Sequence, residues 1–179
     1  LAVDTGFRVV LLSGLSNFNS SLQELEECYR KYNHFHPLVS YQLGFHAEYT
    51  TSKPLLEGIA KLAREFQAPV FTHNSETKGE VEGCLSRYGM TPTALMDSLG
   101  MLQYGGGGYH CVEMTDGDLD IFQKRGMTVI TNPGSNMKLA SGVPRTADIL
   151  ARGIPMAIGT DGPASNNCLD MFREMFLVT

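Results

Sequence analysis

The sequence predicts an α/β fold with a parallel sheet, assembled from six βα units. Three observations predict it. Short aliphatic or β-branched runs alternate with longer amphipathic segments at about the spacing of βαβ repeats. The amphipathic segments carry helix-start and helix-stop residues at their ends. Five of the six apolar runs finish on a polar or metal-competent residue, a regularity that isolated structural histidines would not produce.

The expected strands are Arg8 to Ser13, Leu38 to Phe45, Pro69 to Thr72, Gly108 to Val112, Met127 to Thr131 and Pro155 to Gly159. Leu1-Ala-Val-Asp reads as the tail of a helix ahead of the first strand. Ser21 to Tyr32 follows that strand as a helix, because Leu22, Leu25, Tyr29 and Tyr32 share one face at helical spacing. Lys53 to Phe66 is the next, with Ser52 as N-cap and Pro54 in the first turn, where its missing N–H costs nothing. Thr77-x-x-Glu80 resembles a capping box for a third helix. Gly126 and Gly153 stand where helix C-terminal glycines belong, each directly before a strand. No linker or change in composition divides residues 1–179, so the expectation is a single domain.

Composition narrows the function. With 42% hydrophobic and 18% charged residues the chain has enough apolar material for a packed core. A formal net charge of -5 and the lack of any Lys/Arg cluster argue against nucleic acid and toward a small-molecule substrate. No apolar run approaches the length of about 20 residues that a membrane helix needs. Cys28, Cys84, Cys111 and Cys168 form no C-x-x-C pair, so reduced thiols in a cytoplasmic protein are expected. The chain opens without Met, which leaves its true N-terminus and any targeting signal open.

The strand ends carry the chemistry. His46, His73, His110, Asn132 and Asp161 each stand at or just after the end of a run. If the sheet curls into a barrel, parallel C-terminal ends converge on one mouth and these distant residues meet. Imidazole and carboxylate suit zinc or a similar divalent ion, and a catalytic site leaves a position open for water. His73 and Asp161 are the first choices as ligands, with His110 second. Glu76, three residues past His73, can exchange protons with a substrate, since Thr77 and Glu80 already account for the helix start. Asn136 and Lys138, after the fifth run, either shape the pocket or serve turn chemistry.

Four ordered segments, Thr72-His-Asn-Ser-Glu-Thr77, Tyr109-His-Cys-Val112, Thr131-Asn-Pro-Gly-Ser-Asn-Met-Lys-Leu-Ala-Ser-Gly142 and Gly159-Thr-Asp-Gly-Pro-Ala-Ser-Asn-Asn167, resemble the amidohydrolase superfamily. Within it they are similar to the branch of methylthioadenosine/S-adenosylhomocysteine deaminases and chlorohydrolases. The resemblance implies a partial (β/α)8 TIM-type barrel, holding the third to eighth strands of the parent. It makes His73 and Asp161 metal ligands for zinc, or iron, Glu76 the proton shuttle, and His110 a catalytic group beside the reacting water. Gly44-Phe-His-Ala-Glu-Tyr-Thr50 resembles the fourth-strand segment, which makes His46 a contact to a purine-like ring, and Arg8 is a weaker candidate for a substrate carboxylate. The implied reaction is hydrolytic deamination of an adenosine-type amine: Glu76 protonates a ring nitrogen, Asp161 takes the proton of the attacking water, and ammonia leaves. Guanine deamination, triazine dechlorination and ligand binding without turnover are the alternatives.

The chain also departs from that pattern. No His-x-His pair stands at a strand end; His34-Phe-His36 has the letters but precedes Pro37 in what reads as a surface loop. The expectation is therefore a piece of a longer enzyme, with metal bound weakly or not at all, little activity of its own, and outer strands that favour a homo-oligomer. Glu48 replaces a usual proline, Asn74 a usual aliphatic residue, and the run Gly105 to Gly108 is expected to loosen the entry to its strand.

Overall fold

The computed structural model describes residues 1–179. Six strands, β1 (Val9–Leu12), β2 (Val39–Gly44), β3 (Val70–Asn74), β4 (Gly106–His110), β5 (Met127–Thr131) and β6 (Met156–Ile158), form one sheet in chain order. Every neighbouring pair is parallel. This sequential parallel arc is the expected part of a barrel wall. The sheet is open, and its edge strand β1 leaves Val10 exposed at 56%.

The helices are α1 (Ala2–Thr5), α2 (Leu22–Tyr32), α3 (Lys53–Phe66), α4 (Lys78–Tyr88), α5 (Pro92–Ser98), α6 (Asp116–Arg125), α7 (Pro133–Lys138), α8 (Thr146–Ala151) and α9 (Met171–Leu177). None is long and apolar enough to cross a membrane. Their starts follow capping chemistry. Ser21 accepts from the Glu24 N–H, Thr77 from Glu80, Thr91 from Ala94, and Thr115 with Asp118 completes a reciprocal capping box. Gly126 and Gly153 close helices in the left-handed conformation, as expected.

Two capping expectations change. Ser52 is the N-cap of α3 but makes no side-chain cap bond; its own N–H is held by Asn17 Oδ1 at 2.9 Å. The Thr77 box is half made, because the Glu80 carboxylate turns away from Thr77 to accept the N–H groups of Ser75 and Glu76. Residues 133–138, expected as loop, form the short helix α7.

The core lies between the sheet and its helices. Leu25, Leu43, Leu56, Ile59, Leu119 and Ile149 are fully buried there. Along β3 the burial alternates, so Val70, Thr72 and Asn74 pack under the helices while Phe71 and His73 face the inner side of the arc. Asn74 is a buttress in this layer: its amide donates to Thr93 Oγ1 at 2.7 Å. Glu48, also buried, is held by Arg87, whose Nε donates to Oε1 at 3.2 Å, and so ties the segment after β2 to α4.

The glycine run is the largest correction. β4 begins at Gly106, two residues before the expected start, and the glycines tighten the sheet where loosening was expected. A Cβ on Gly106 would sit 1.9 Å from the Val70 carbonyl oxygen, and one on Gly107 would meet Ile130 Cδ1 at 2.5 Å and Phe71 at 2.7 Å. Gly106 also has φ +132, a conformation L side chains rarely adopt. Gly106→Ala is expected to cost about 3 kcal/mol, lowering Tm by roughly 6–12 °C. Gly79→Ala, which meets nothing within 4 Å, is expected to stabilise α4 by roughly 0.5–1 kcal/mol. Calorimetry that found the two variants alike would refute the close-packing account.

Candidate active site

The C-terminal ends of β2, β3, β4 and the turn after β6 bring His46, His73, His110 and Asp161 to one place, as the strand-end pattern predicts. The ring centroids of His46 and His73 lie 5.0 Å apart, and those of His73 and His110 lie 5.4 Å apart with the planes 25° from parallel. A cavity of about 280 Å³ opens beside them, lined by Leu12, His73, Tyr109, Ile130, Asn132, Gly159 and Asp161.

Each histidine is oriented by a fixed partner. His73 Nδ1 lies 2.6 Å from the His46 carbonyl oxygen. A carbonyl only accepts, so Nδ1 carries a proton, and in the neutral ring Nε2 has its lone pair free for a ligand. His110 ends β4 with φ 66, and its Nδ1 lies 2.7 Å from Asn136 Oδ1. Its Nε2 faces two carboxylates, at 3.7 Å from Glu76 Oε2 and 3.9 Å from Asp161 Oδ2. His46 Nδ1 contacts Thr50 Oγ1 at 2.8 Å, and the ring meets Tyr49 edge to face. Burial, then the neighbouring His73, pushes the His46 pKa down, against the opposing pull of Glu76.

The carboxylates are held as firmly. Asp161, with φ 59, accepts from Ser135 Oγ at 2.7 Å, Ser165 Oγ at 2.6 Å and its neighbour's N–H on Gly162 at 2.8 Å. Burial works to raise its pKa, but the donors Ser165, Ser135 and Gly162, with His110 nearby, outweigh it and hold the group below the usual range. Glu76 follows a left-handed Ser75. Its Oε1 accepts from Ser141 Oγ at 2.8 Å, which leaves Oε2 turned toward His110. Glu80 secures this turn through the Ser75 and Glu76 N–H groups, at 2.9 and 2.8 Å. Burial raises the Glu80 pKa against the pull of those same donors.

One donor atom each from His73, His110 and Asp161 lies within 4.8 Å of the others, a spacing that a divalent ion can bridge. Both imidazole Nδ1 atoms are already engaged, so the donor set fits such an ion through Nε2 and a carboxylate oxygen.

Two candidates, Arg8 and Lys138, fall outside this site, and the His34-Phe-His36 pair lies apart from it as expected. Arg8 precedes β1 and therefore stands at the N-terminal end of the sheet, opposite the histidines, where its guanidinium donates to the Pro37 carbonyl at 2.9 Å. His34 and His36 lie in the turn after α2, and His36 Nδ1 accepts the Leu38 N–H. Lys138 points away from the pocket, binding Ala164 O and Asn167 Oδ1. Sequence reading missed the hydroxyls of Ser135, Ser141 and Ser165. They stand inside the quoted motifs, but spacing alone does not show which way a serine points.

The family model of the amidohydrolases matches residues 2–179. The chain is 38% identical over 178 residues to a 5'-deoxyadenosine deaminase of Methanopyrus kandleri, covering 96% of this chain and 41% of that protein. It is 40% identical over 175 residues to a 5-methylthioadenosine/S-adenosylhomocysteine deaminase of Pyrococcus furiosus, covering 97% of this chain and 42% of the relative. An adenosine deaminase from Xanthomonas campestris, solved with bound zinc, superposes with a TM-score of 0.89 at 32% identity, over 99% of this chain and 43% of that one. The chain thus spans about two fifths of the length of these proteins.

Zinc titration of the full-length protein under chelator competition is expected to show affinity that falls about tenfold or more in His73→Ala and in Asp161→Asn. His36→Ala is expected to leave it unchanged; equal loss in all three variants would place the ion elsewhere.

Proposed function

The chain belongs to the amidohydrolase family, and from that premise we propose that it contributes to the active site of a hydrolytic deaminase acting on adenosine-type nucleosides with a modified 5' position. The observation that carries the reading is the convergence of Glu76, His110 and Asp161, with His110 Nε2 within 3.9 Å of both carboxylates, beside a histidine whose Nε2 is unencumbered. The names of the relatives support the substrate class.

In this reading His73 and Asp161 hold a divalent ion, zinc first, with His110 within reach of it. When bound, such an ion lowers the pKa of a coordinated water toward about 7. Glu76 protonates the ring nitrogen next to the amine-bearing carbon, drawing electrons from that carbon as water adds to it. Asp161, held in its charged form by its serine donors, receives the water's proton. His110 stabilises the negative charge that develops on the attacking oxygen. Glu76, recharged by the proton that the newly added hydroxyl gives up, passes it to the amine; the C–N bond breaks, ammonia leaves a ring carbonyl behind, and the proton on Asp161 returns to Glu76. Half-buried beside this centre, His46 contacts the purine ring.

The 179 residues of this chain bring three donor side chains together, whereas a catalytic zinc typically keeps three protein ligands and an open position for water. With His110 reserved for the reacting water, two remain, so the isolated chain is proposed to bind metal weakly and to turn over little substrate.

Ammonia release by the full-length, metal-loaded protein is the test, with 5'-deoxyadenosine, methylthioadenosine, S-adenosylhomocysteine and guanine compared. Glu76→Gln is expected to lower kcat by roughly 10²–10⁴ while metal content stays unchanged. A metal-loaded protein that releases ammonia from guanine alone would move the substrate, and one that releases none from any would refute the deaminase reading.

A further inference from the structure

One short segment touches all three groups that do the proposed chemistry. Ser135 Oγ donates to Asp161 Oδ2 at 2.7 Å, Asn136 Oδ1 accepts from His110 Nδ1 at 2.7 Å, and Ser141 Oγ donates to Glu76 Oε1 at 2.8 Å. These groups come from β4 and from the turns after β3 and β6, far apart in the chain. We propose that residues 135–141 form a positioning clamp, in which Ser135, Asn136 and Ser141 each set the orientation of one site group. The proposal deepens the deaminase reading and rests on it for the roles of those groups, though not for the contacts.

The hydrogen bonding of the segment points this way. Each of the three side chains makes its only side-chain hydrogen bond to a site group. Asn136 is 1% exposed, and its Nδ2 has no partner. A buried amide donor left unpaired costs about 1–3 kcal/mol, which an asparagine kept for packing alone would not bear. What its position provides is an acceptor for His110 Nδ1, and hence a fixed ring with Nε2 between Glu76 and Asp161. Ser141 similarly occupies one oxygen of Glu76 and leaves the other facing His110.

The clamp is itself anchored at several points. The carboxylate of Glu174, fully buried, accepts the Gly134 N–H at 2.7 Å and the Asn166 amide at 2.8 Å. Lys138 ties the outer side of α7 to Ala164 and Asn167, and the Ser141 N–H returns to Asn136 O at 2.9 Å. Ala140 at φ 56 and Gly142 at φ 123 bend the chain so that Ser141 reaches Glu76. Left-handed geometry at a non-glycine residue is the kind of local strain that persists where the surroundings hold it.

The test uses full-length protein labelled with 15N at histidine, and reads three separate properties. Asn136→Leu is expected to abolish the slowly exchanging Nδ1 proton signal of His110, and Asn136→Asp, which keeps an acceptor, to retain it. Ser135→Ala is expected to weaken zinc binding about tenfold in chelator competition, and Ser141→Ala to lower kcat about tenfold with zinc affinity and KM unchanged, restored by Ser141→Thr. If Asn136→Leu does not fold, the absence of a protected His110 Nδ1 proton in the wild-type protein overturns the Asn136 contact by itself. Variants that all lose thermal stability together, with the proton signal and zinc affinity as in wild type, would overturn the clamp. A protein that deaminates nothing but shows the proton-signal and affinity changes would sink the deaminase reading and leave the clamp standing.

Discussion

The close approach of β3, β4 and β5 across the glycines of β4 is the constraint on which the site depends. Backbone without side chains can enter where a Cβ on Gly106 would stand 1.9 Å from Val70 O. The register that follows sets His73 beside Tyr109 and Asn74 beside His110, so the two imidazoles meet at one level of the mouth. Three successive glycines lose more backbone freedom on folding than other residues would. That loss is offset by ladder hydrogen bonds and by the packing of Phe71, Ile130 and Phe122 into the space the glycines leave.

At the ends of those strands the chain turns through unfavourable backbone. Ser75, His110, Cys111 and Asp161 all have φ between 50 and 66, a region that costs an L residue roughly 1–2 kcal/mol. Each such turn is answered by a hydrogen bond that does not belong to the sheet: Glu80 on the Ser75 N–H, Asn136 on His110, Gly162 N–H on Asp161. Two acids, Glu80 buried and Asp161 partly exposed, respond to this arrangement in opposite ways. Glu80 has donors but is so buried that its pKa rises, whereas Asp161, nearer solvent and with two serine hydroxyls, is held down. Glu80 braces the turn behind the site, whereas Asp161 faces the histidines.

Much of this was legible in the sequence because strand ends in a parallel sheet share a topological position. His46, His73, His110 and Asp161 could be grouped without knowing a single distance, and the helix ends at Thr77 and Gly126 could be read from local chemistry. Arg8 opened the expected strand and so already stood at the end of the sheet away from the histidines; its candidacy came from the resemblance, not from its place along the strand. The glycine run was misread because propensity describes freedom in isolation, whereas here what matters is the space between neighbouring strands. The serines of residues 135–165 escaped because a hydroxyl's partner depends on tertiary placement, which no spacing rule encodes.

The two central histidines differ in a way that assigns them different work. His73 Nδ1 is committed to a backbone carbonyl, an acceptor that cannot become a donor, so in the neutral ring it is Nε2 that carries the lone pair. No carboxylate lies within salt-bridge distance of His73, whereas His110 Nε2 has two. A ring nitrogen whose partner nitrogen is already held by a carbonyl, with Asp161 within 4.8 Å as a fellow donor, suits the cation-holding place proposed for it. His110 Nε2, with a carboxylate on either side, suits the place beside the reacting water proposed for it. The two rings are thus set apart by which acceptor each Nδ1 meets and which acids each Nε2 faces.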